Sequence, residues 1–185
     1  SRDSIHNHFS KLNSNFSNNT YNYEFNNYKN LFETKGQTLI TLNKYLKKSI
    51  IEEIYTFIVR DYLKNKNMII KKIKHKFKKK IIVRSSTKKE DSLNSSHAGE
   101  FLTVQNVNTN DDTQIIKSIN KVIKTYKEKM KSYMDEEILI QKQSSNIKLS
   151  GVVFTRGLNT NSPYYVVTYD DQSGKTDTVT GGETC

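Results

Sequence analysis

The chain has 185 residues, enough for one domain with or without a tail. Only 34% of them are hydrophobic, and 30 Lys and Arg against 19 Asp and Glu leave a formal charge of +11, so anionic partners such as nucleotides, nucleic acid or acidic lipid are favoured and part of the chain is expected not to build a core by itself. The lone cysteine, Cys185, excludes an internal disulfide and a Cys-cluster zinc site; no apolar run approaches the roughly 18 residues that span a bilayer, and the N-terminus lacks a signal-peptide core, so a cytoplasmic protein with no membrane partner is expected.

Residues 1–32 read as a polar, Asn- and Ser-rich lead-in or linker, whose scattered aromatics and few aliphatics do not offset the entropy of ordering it. From residue 33 the pattern changes and a single domain is expected to run to residue 185. Leu39, Leu42 and Leu46 follow helical spacing, and Ile50, Ile51, Ile54 and Ile58 continue it after Ser49, a candidate cap. Ile69, Ile70, Ile73 and Phe77 predict a second amphipathic helix, with lysines on its other faces. The run Lys71–Lys80 reads as a solvated face rather than a nucleic-acid patch, because Phe77 is its only interleaved aromatic.

IIVRSS then predicts a short buried strand, residues 81–83, entering a polar loop over residues 85–98. Residues 101–107 predict another strand. Ile115, Ile116, Ile119, Val122, Ile123, Tyr126, Met130 and Tyr133 mark the clearest helix of the chain. Strands are expected at 138–140, 152–154 and 164–168, and a DDQSG turn leads to a fourth at 176–180. Helices come first and strands are concentrated later, so the class is α+β with a mixed, partly antiparallel sheet.

The segment IVRSSTKKEDSLNSSHAGEFLTVQNV carries the most information. Arg84, Ser85, Ser86, Glu90, Asp91, Ser96, Ala98, Gly99, Thr103, Asn106 and Val107 stand at the spacing of a signature that runs VRSS, E-D, S-x-A-G, Thr and N-V. That signature is similar to the nucleotide-binding domain of phosphoenolpyruvate synthases, pyruvate phosphate dikinases and rifampicin phosphotransferases. TKGQTLITL resembles the G-K-G-x-x-L segment of the same family, placing Lys35. ILIQ followed by SGVVFT resembles its Q…SGV-FT pair, placing Gln141, Gly151 and Thr155, and GKTDTVTGG loosely resembles its GLGE-VV-G segment. The resemblance implies an ATP-grasp-type nucleotide-binding domain, helices followed by a mixed sheet, that takes ATP with Mg2+ and passes a phosphoryl group to a small molecule. It also implies that the Mg2+-holding carboxylates lie beyond this sequence, in an E…Q-x-R-type segment. The domain is therefore expected to be partial and inactive by itself, with the acceptor bound by domains not present here.

ATP brings about four negative charges on flexible phosphates, so a site needs fixed cations and backbone donors. Arg84, just past an apolar strand, can hold its planar fork toward phosphate oxygens, and Lys35 would add a point charge from another element. Gly99 would let a hairpin backbone approach the phosphates without a Cβ, and Thr103 could offer a hydroxyl to a phosphate or its metal. The amide of Gln141 both donates and accepts, which suits the adenine edge. The alternative for each is a surface cation, a turn glycine or a strand-end polar residue. No metal-ligand set is expected in this segment.

Glu90 and Asp91 read as loop-fixing rather than as an acid–base pair, Asp170 and Asp171 as turn residues, and Asp177 as a shorter acid where the family has glutamate. SSHAG resembles the phosphohistidine motif T-S-H-A, but the flanking VRSS and N-V match the flap spacing, so His97 reads as packing or solvated. The wording SGVVFTRG…SPYYVVTYDD-SGKTDTVT resembles a divergent branch of the family. That branch includes enzymes that phosphorylate the side-chain amide of L-glutamine for capsular phosphoramidate synthesis. A non-catalytic nucleotide-binding or scaffold domain, and a basic nucleic-acid-binding module resting on charge alone, are the competing classes.

Overall fold

The computed structural model describes residues 34–88, 91–92, 95–96, 102–157, 160, 162–175 and 178–179. The lead-in at 1–32 and the expected contacts at Gly99, Glu90, His97 and Asp177 lie outside the described residues. The described residues divide into two compact units, the first ending at Gln141 and the second beginning at Lys142.

The first unit opens with α1 (Lys35–Leu42), capped by Thr34, whose hydroxyl accepts from the Gln37 amide at 3.2 Å. The helical periodicity expected to continue through Ile58 stops here. Residues Ile54–Ile58 form strand β1 instead, and Ser49 caps nothing. In IYTFI every residue is β-branched or aromatic, and those side chains fit a pleated surface better than a helix. Strand β1 runs straight into α2 (Val59–Lys64), followed by the expected amphipathic helix as α3 (Lys66–Lys76), which buries Ile69, Ile70 and Ile73.

The expected strand at 81–83 is longer, β2 (Lys80–Ser86), because Arg84, Ser85 and Ser86 continue its ladder. The loop expected at 85–98 therefore starts later. It also holds two short strands, β3 (Asp91–Ser92) and β4 (Ser95–Ser96), paired antiparallel. Strand β5 (Thr103–Asn108) returns beside β2. Helix α4 (Asp112–Lys129) follows, with the Asp111 carboxylate accepting from the Gln114 amide at 3.0 Å. Strand β6 (Glu137–Lys142) closes the sheet in the order β1-β6-β2-β5, antiparallel between β1 and β6 and between β2 and β5. The class is α+β, as expected.

Period-two alternation gives this sheet two unlike faces. On one, Tyr55 and Phe57 of β1, Ile138 and Ile140 of β6, Ile81 and Val83 of β2, and Val104 and Val107 of β5 join the core built with α2, α3 and α4. A bulge in β5 makes that possible: Val83 faces Val104 but Ile81 faces Val107, so one extra residue lets both valines point the same way. The bulge carries Asn106 at φ +60°, a conformation asparagine tolerates, which gives the motif's Asn a physical reason. The opposite face carries Thr56, Glu137, Leu139, Gln141, Arg84, Ser86 and Thr103.

The second unit is a hairpin of β7 (Ser150–Phe154) and β8 (Val166–Asp170), paired from Ser150 opposite Asp170 to Phe154 opposite Val166. Both strands were expected; the last begins at Val166 because Tyr164 and Tyr165 lie before the ladder. Of the strand expected at 176–180, Thr178 and Val179 form a turn and the rest lies outside the described residues. Among the described residues, no helix is long and apolar enough to cross a membrane.

Candidate functional site

Arg84 and Gln141 end neighbouring strands on the polar face, and the Arg84 Nη1 donates to Gln141 Oε1 at 3.5 Å, a long contact. Thr103 is the register partner of Arg84 across β2 and β5, and its side chain is exposed. Residues picked from three separate sequence segments thus share one face, with Arg84 beside both Gln141 and Thr103. Arg84 is half-buried. Its Nε is buried with no hydrogen-bond partner among the described residues. A buried guanidinium N–H without an acceptor is costly, and a phosphate oxygen supplies the acceptor it lacks.

Lys35 starts α1, and the next residue ties that helix to the strand carrying Arg84. The Gly36 amide donates to Ser86 Oγ at 2.9 Å. Gly36 is forced to be glycine by what surrounds it, since a Cβ there would run into Glu137 Oε1 and Thr56 Cγ2. Helix and strand therefore meet backbone to side chain, and Lys35 stands one residue from this junction while Arg84 stands two residues from it on the other side.

The junction is organised by a residue that sequence reasoning passed over. Glu137 is 7% exposed, and its Oε1 accepts from Thr34 Oγ1 at 2.7 Å and from Ser86 Oγ at 2.7 Å, while Oε2 accepts from Gln37 Nε2 at 2.9 Å. Tyr126 of α4 closes the other side: its hydroxyl donates to the Glu137 carbonyl at 2.6 Å and accepts from the Ser86 amide at 2.8 Å. The only hint in the sequence is a carboxylate at the head of the apolar run EILI. The amides of Gly36 and Gln37 already have side-chain acceptors and that of Thr38 bonds the Thr34 carbonyl at 2.9 Å. Those three donors are spent on the fold, so α1 offers an anion its side chains rather than its first-turn amides.

The lysine run is largely exposed to solvent. Lys71, Lys72, Lys76, Lys78, Lys79 and Lys80 are exposed, and Lys74 pairs with Asp112 at 2.6 Å. Lys71, Lys72, His75 and Lys76 line a shallow cavity with Tyr55 and Met68, on the helix-covered side of β1. In the second unit, Asp170 is more than the plain turn residue expected. It is buried and accepts from the Gln172 amide at 2.8 Å, the Ser173 amide at 2.9 Å, the Thr178 hydroxyl at 2.6 Å and the Ser173 hydroxyl. Those bonds, the Ser173 hydroxyl foremost, hold its carboxyl below the usual carboxylate range.

The family model of the pyruvate phosphate dikinase AMP/ATP-binding domain matches residues 25–170. The chain belongs to this family. No curated protein and no solved structure matches it. The match covers α1, the whole four-stranded sheet and both strands of the hairpin, and it ends at Asp170. Family membership makes the chain an AMP/ATP-binding portion of the phosphoenolpyruvate synthase and pyruvate phosphate dikinase type, a phosphotransferase lineage. The fit of a nucleotide to the residues present rests on Arg84, whose buried Nε lacks an acceptor among the described residues. Among the described residues, no three His, Cys, Asp or Glu side chains gather to hold a metal ion.

Proposed function

We propose that the polar face of the sheet is the ATP-binding surface, with Arg84 and Lys35 serving the phosphates, Thr103 a phosphate oxygen, and Gln141 the adenine edge. Gly99, outside the described residues, completes the site as the backbone-approach position of the flap. One observation carries most of the weight. Arg84 lies between Gln141 and Thr103 with a buried N–H that has no acceptor among the described residues, a cost that a bound phosphate removes. On binding, the long Arg84–Gln141 contact is exchanged for charge-assisted bonds, and the Gln141 amide is freed for the base.

The chain acts as the ATP-binding portion of a phosphotransferase that moves a phosphoryl group from ATP to a small molecule. Mg2+ would accompany the nucleotide and neutralise phosphate charge. The acceptor suggested by the wording of residues 150–180 is the side-chain amide of L-glutamine. The direct test of this reading is binding.

Titrating Mg-ATP into the chain should give a saturable heat or fluorescence change, and Arg84→Ala should weaken it by about 1.5–3 kcal/mol, the scale of a charge-assisted bond. A random oligonucleotide that binds with a steep salt dependence, indifferent to Arg84, would favour a basic nucleic-acid module instead.

A further inference from the structure

Glu137 gives both carboxylate oxygens to protein donors, and the donors come from different elements: Thr34 and Gln37 from the start of α1, Ser86 from the end of β2. We infer that Glu137 is a positioning residue for nucleotide binding, fixing the start of α1, and with it Lys35, against the end of β2 that carries Arg84. The role presupposes the ATP site proposed above.

Three features make the carboxylate, rather than general packing, responsible. The first is the continuous chain of bonds. Gly36 N–H donates to Ser86 Oγ, and the Ser86 hydroxyl donates to Glu137 Oε1, so helix and strand share one acceptor. The second is the absence of space: a Cβ on residue 36 would strike Glu137 Oε1 and Thr56 Cγ2, so the helix backbone is seated directly on the carboxylate. The third is charge. A carboxylate at a helix N-terminus is favourable toward the helix dipole. It also offsets the repulsion that arises when a lysine-bearing helix start and an arginine-bearing strand end are held together.

Glu137 itself is held still. Its carbonyl accepts from Tyr126, whose hydroxyl also takes the Ser86 amide, so β2 and β6 cannot slide at this end without breaking both bonds. A side chain clamped this way sets a distance and does not need to reach the nucleotide.

The test is a binding cycle on the full chain with Mg-ATP as the probe. Lys35→Ala in the natural background should weaken binding about tenfold, and Glu137→Ala should do the same. In the Glu137→Ala background, Lys35→Ala should cost less than about twofold, while Arg84→Ala keeps its full effect. Glu137→Gln retains an acceptor for Thr34 and Ser86, and Gln37 can turn its amide to match, so it should recover most of the affinity. A readout that needs no nucleotide accompanies the cycle. In Glu137→Ala the Gly36 amide should exchange faster with solvent, while the Ser85 amide, bonded to the Leu102 carbonyl at 3.1 Å, should not.

A full tenfold Lys35 effect persisting without Glu137, or Gly36 exchange left unchanged, would overturn the role while leaving the ATP site standing. Absence of any Mg-ATP binding by the natural chain would overturn the site and the role together. Should Glu137→Ala fail to fold, Gln37→Ala removes only the Oε2 bond. It should show the same loss of Lys35 dependence at smaller size, and an undiminished Lys35 effect there would sink the role.

Discussion

The two faces of the four-stranded sheet are made from the same strands, residue by residue in alternation, and they do opposite things. The helix-covered face buries Ile81, Val83, Ile138 and Ile140 completely. The other face carries Arg84 and Ser86 of β2 and Glu137, the buried Leu139 and Gln141 of β6, and the Arg84 Nε there is buried without an acceptor among the described residues. The first face is apolar core, and the proposed ATP site lies on the second. The residues of EILIQ, which read as a nearly continuous apolar run, thus divide between the two faces.

Substitutions on the two faces should separate stability from binding. The largest effect is expected at the core. Ile138→Ala should destabilise by about 3 kcal/mol in denaturant unfolding, with Mg-ATP affinity of the folded fraction unchanged. Arg84→Ala is the mirror image: a loss in ATP affinity with unfolding free energy within about 0.5 kcal/mol of the natural chain, because the substitution also removes a buried unpaired N–H. If Arg84→Ala unfolded the protein as strongly as Ile138→Ala, the division between faces would fail.

Smaller effects sharpen the picture. Tyr62 is 2% exposed, its hydroxyl has no partner among the described residues, and burial pushes its pKa up to about 12. Tyr62→Phe should therefore be neutral or stabilising by up to about 1 kcal/mol in the same unfolding assay. With its folded pKa raised, the natural Tyr62 contributes full stability below its ordinary value of 10.0 and loses it as pH climbs toward 12, a loss Tyr62→Phe should abolish. The smallest effect is local to the hairpin. The folded pKa of Asp170 is lowered, so the stability it lends is present above its ordinary 3.8 and is lost as pH falls toward the folded value. Carboxyl carbon shifts of Asp170 followed down from pH 6 should stay flat through pH 4. A midpoint near 3.8 would show that the turn does not hold it.

Much of the fold was legible in the sequence because its helices and strands are amphipathic in the ordinary way. The stripe Ile115, Ile119, Val122 and Tyr126 could only be a helix, and IIV before RSS could only be a buried strand. Ile54–Ile58 misled because isoleucines at 50, 51, 54 and 58 satisfy helical spacing, although the intervening Tyr55, Thr56 and Phe57 favour a pleated sheet and find partners on β6. The polar face was legible only where a motif named its residues. Arg84, Thr103 and Gln141 were found that way and do meet in space. Glu137, Gln37 and Tyr126 were not found. Their partners are 100 residues or more away for the Gln37–Glu137 and Thr34–Glu137 bonds, and no local pattern announces a contact of that range. Asp170 could have been singled out, since an aspartate with Ser173 three residues later is the spacing of a side chain folding back on its own turn.

The most direct measurement is a nuclear magnetic resonance titration of the chain with Mg-ATP, following the Arg84 Nε–H, the Gln141 side-chain amide and the methyl groups of Val83 and Val107. Nucleotide on the polar face should shift the Arg84 and Gln141 signals at saturable concentrations and leave the two valines, on the core side of the same strands, nearly still. Shifts confined to His75 and its neighbouring lysines, with Arg84 and Gln141 unmoved, would contradict it.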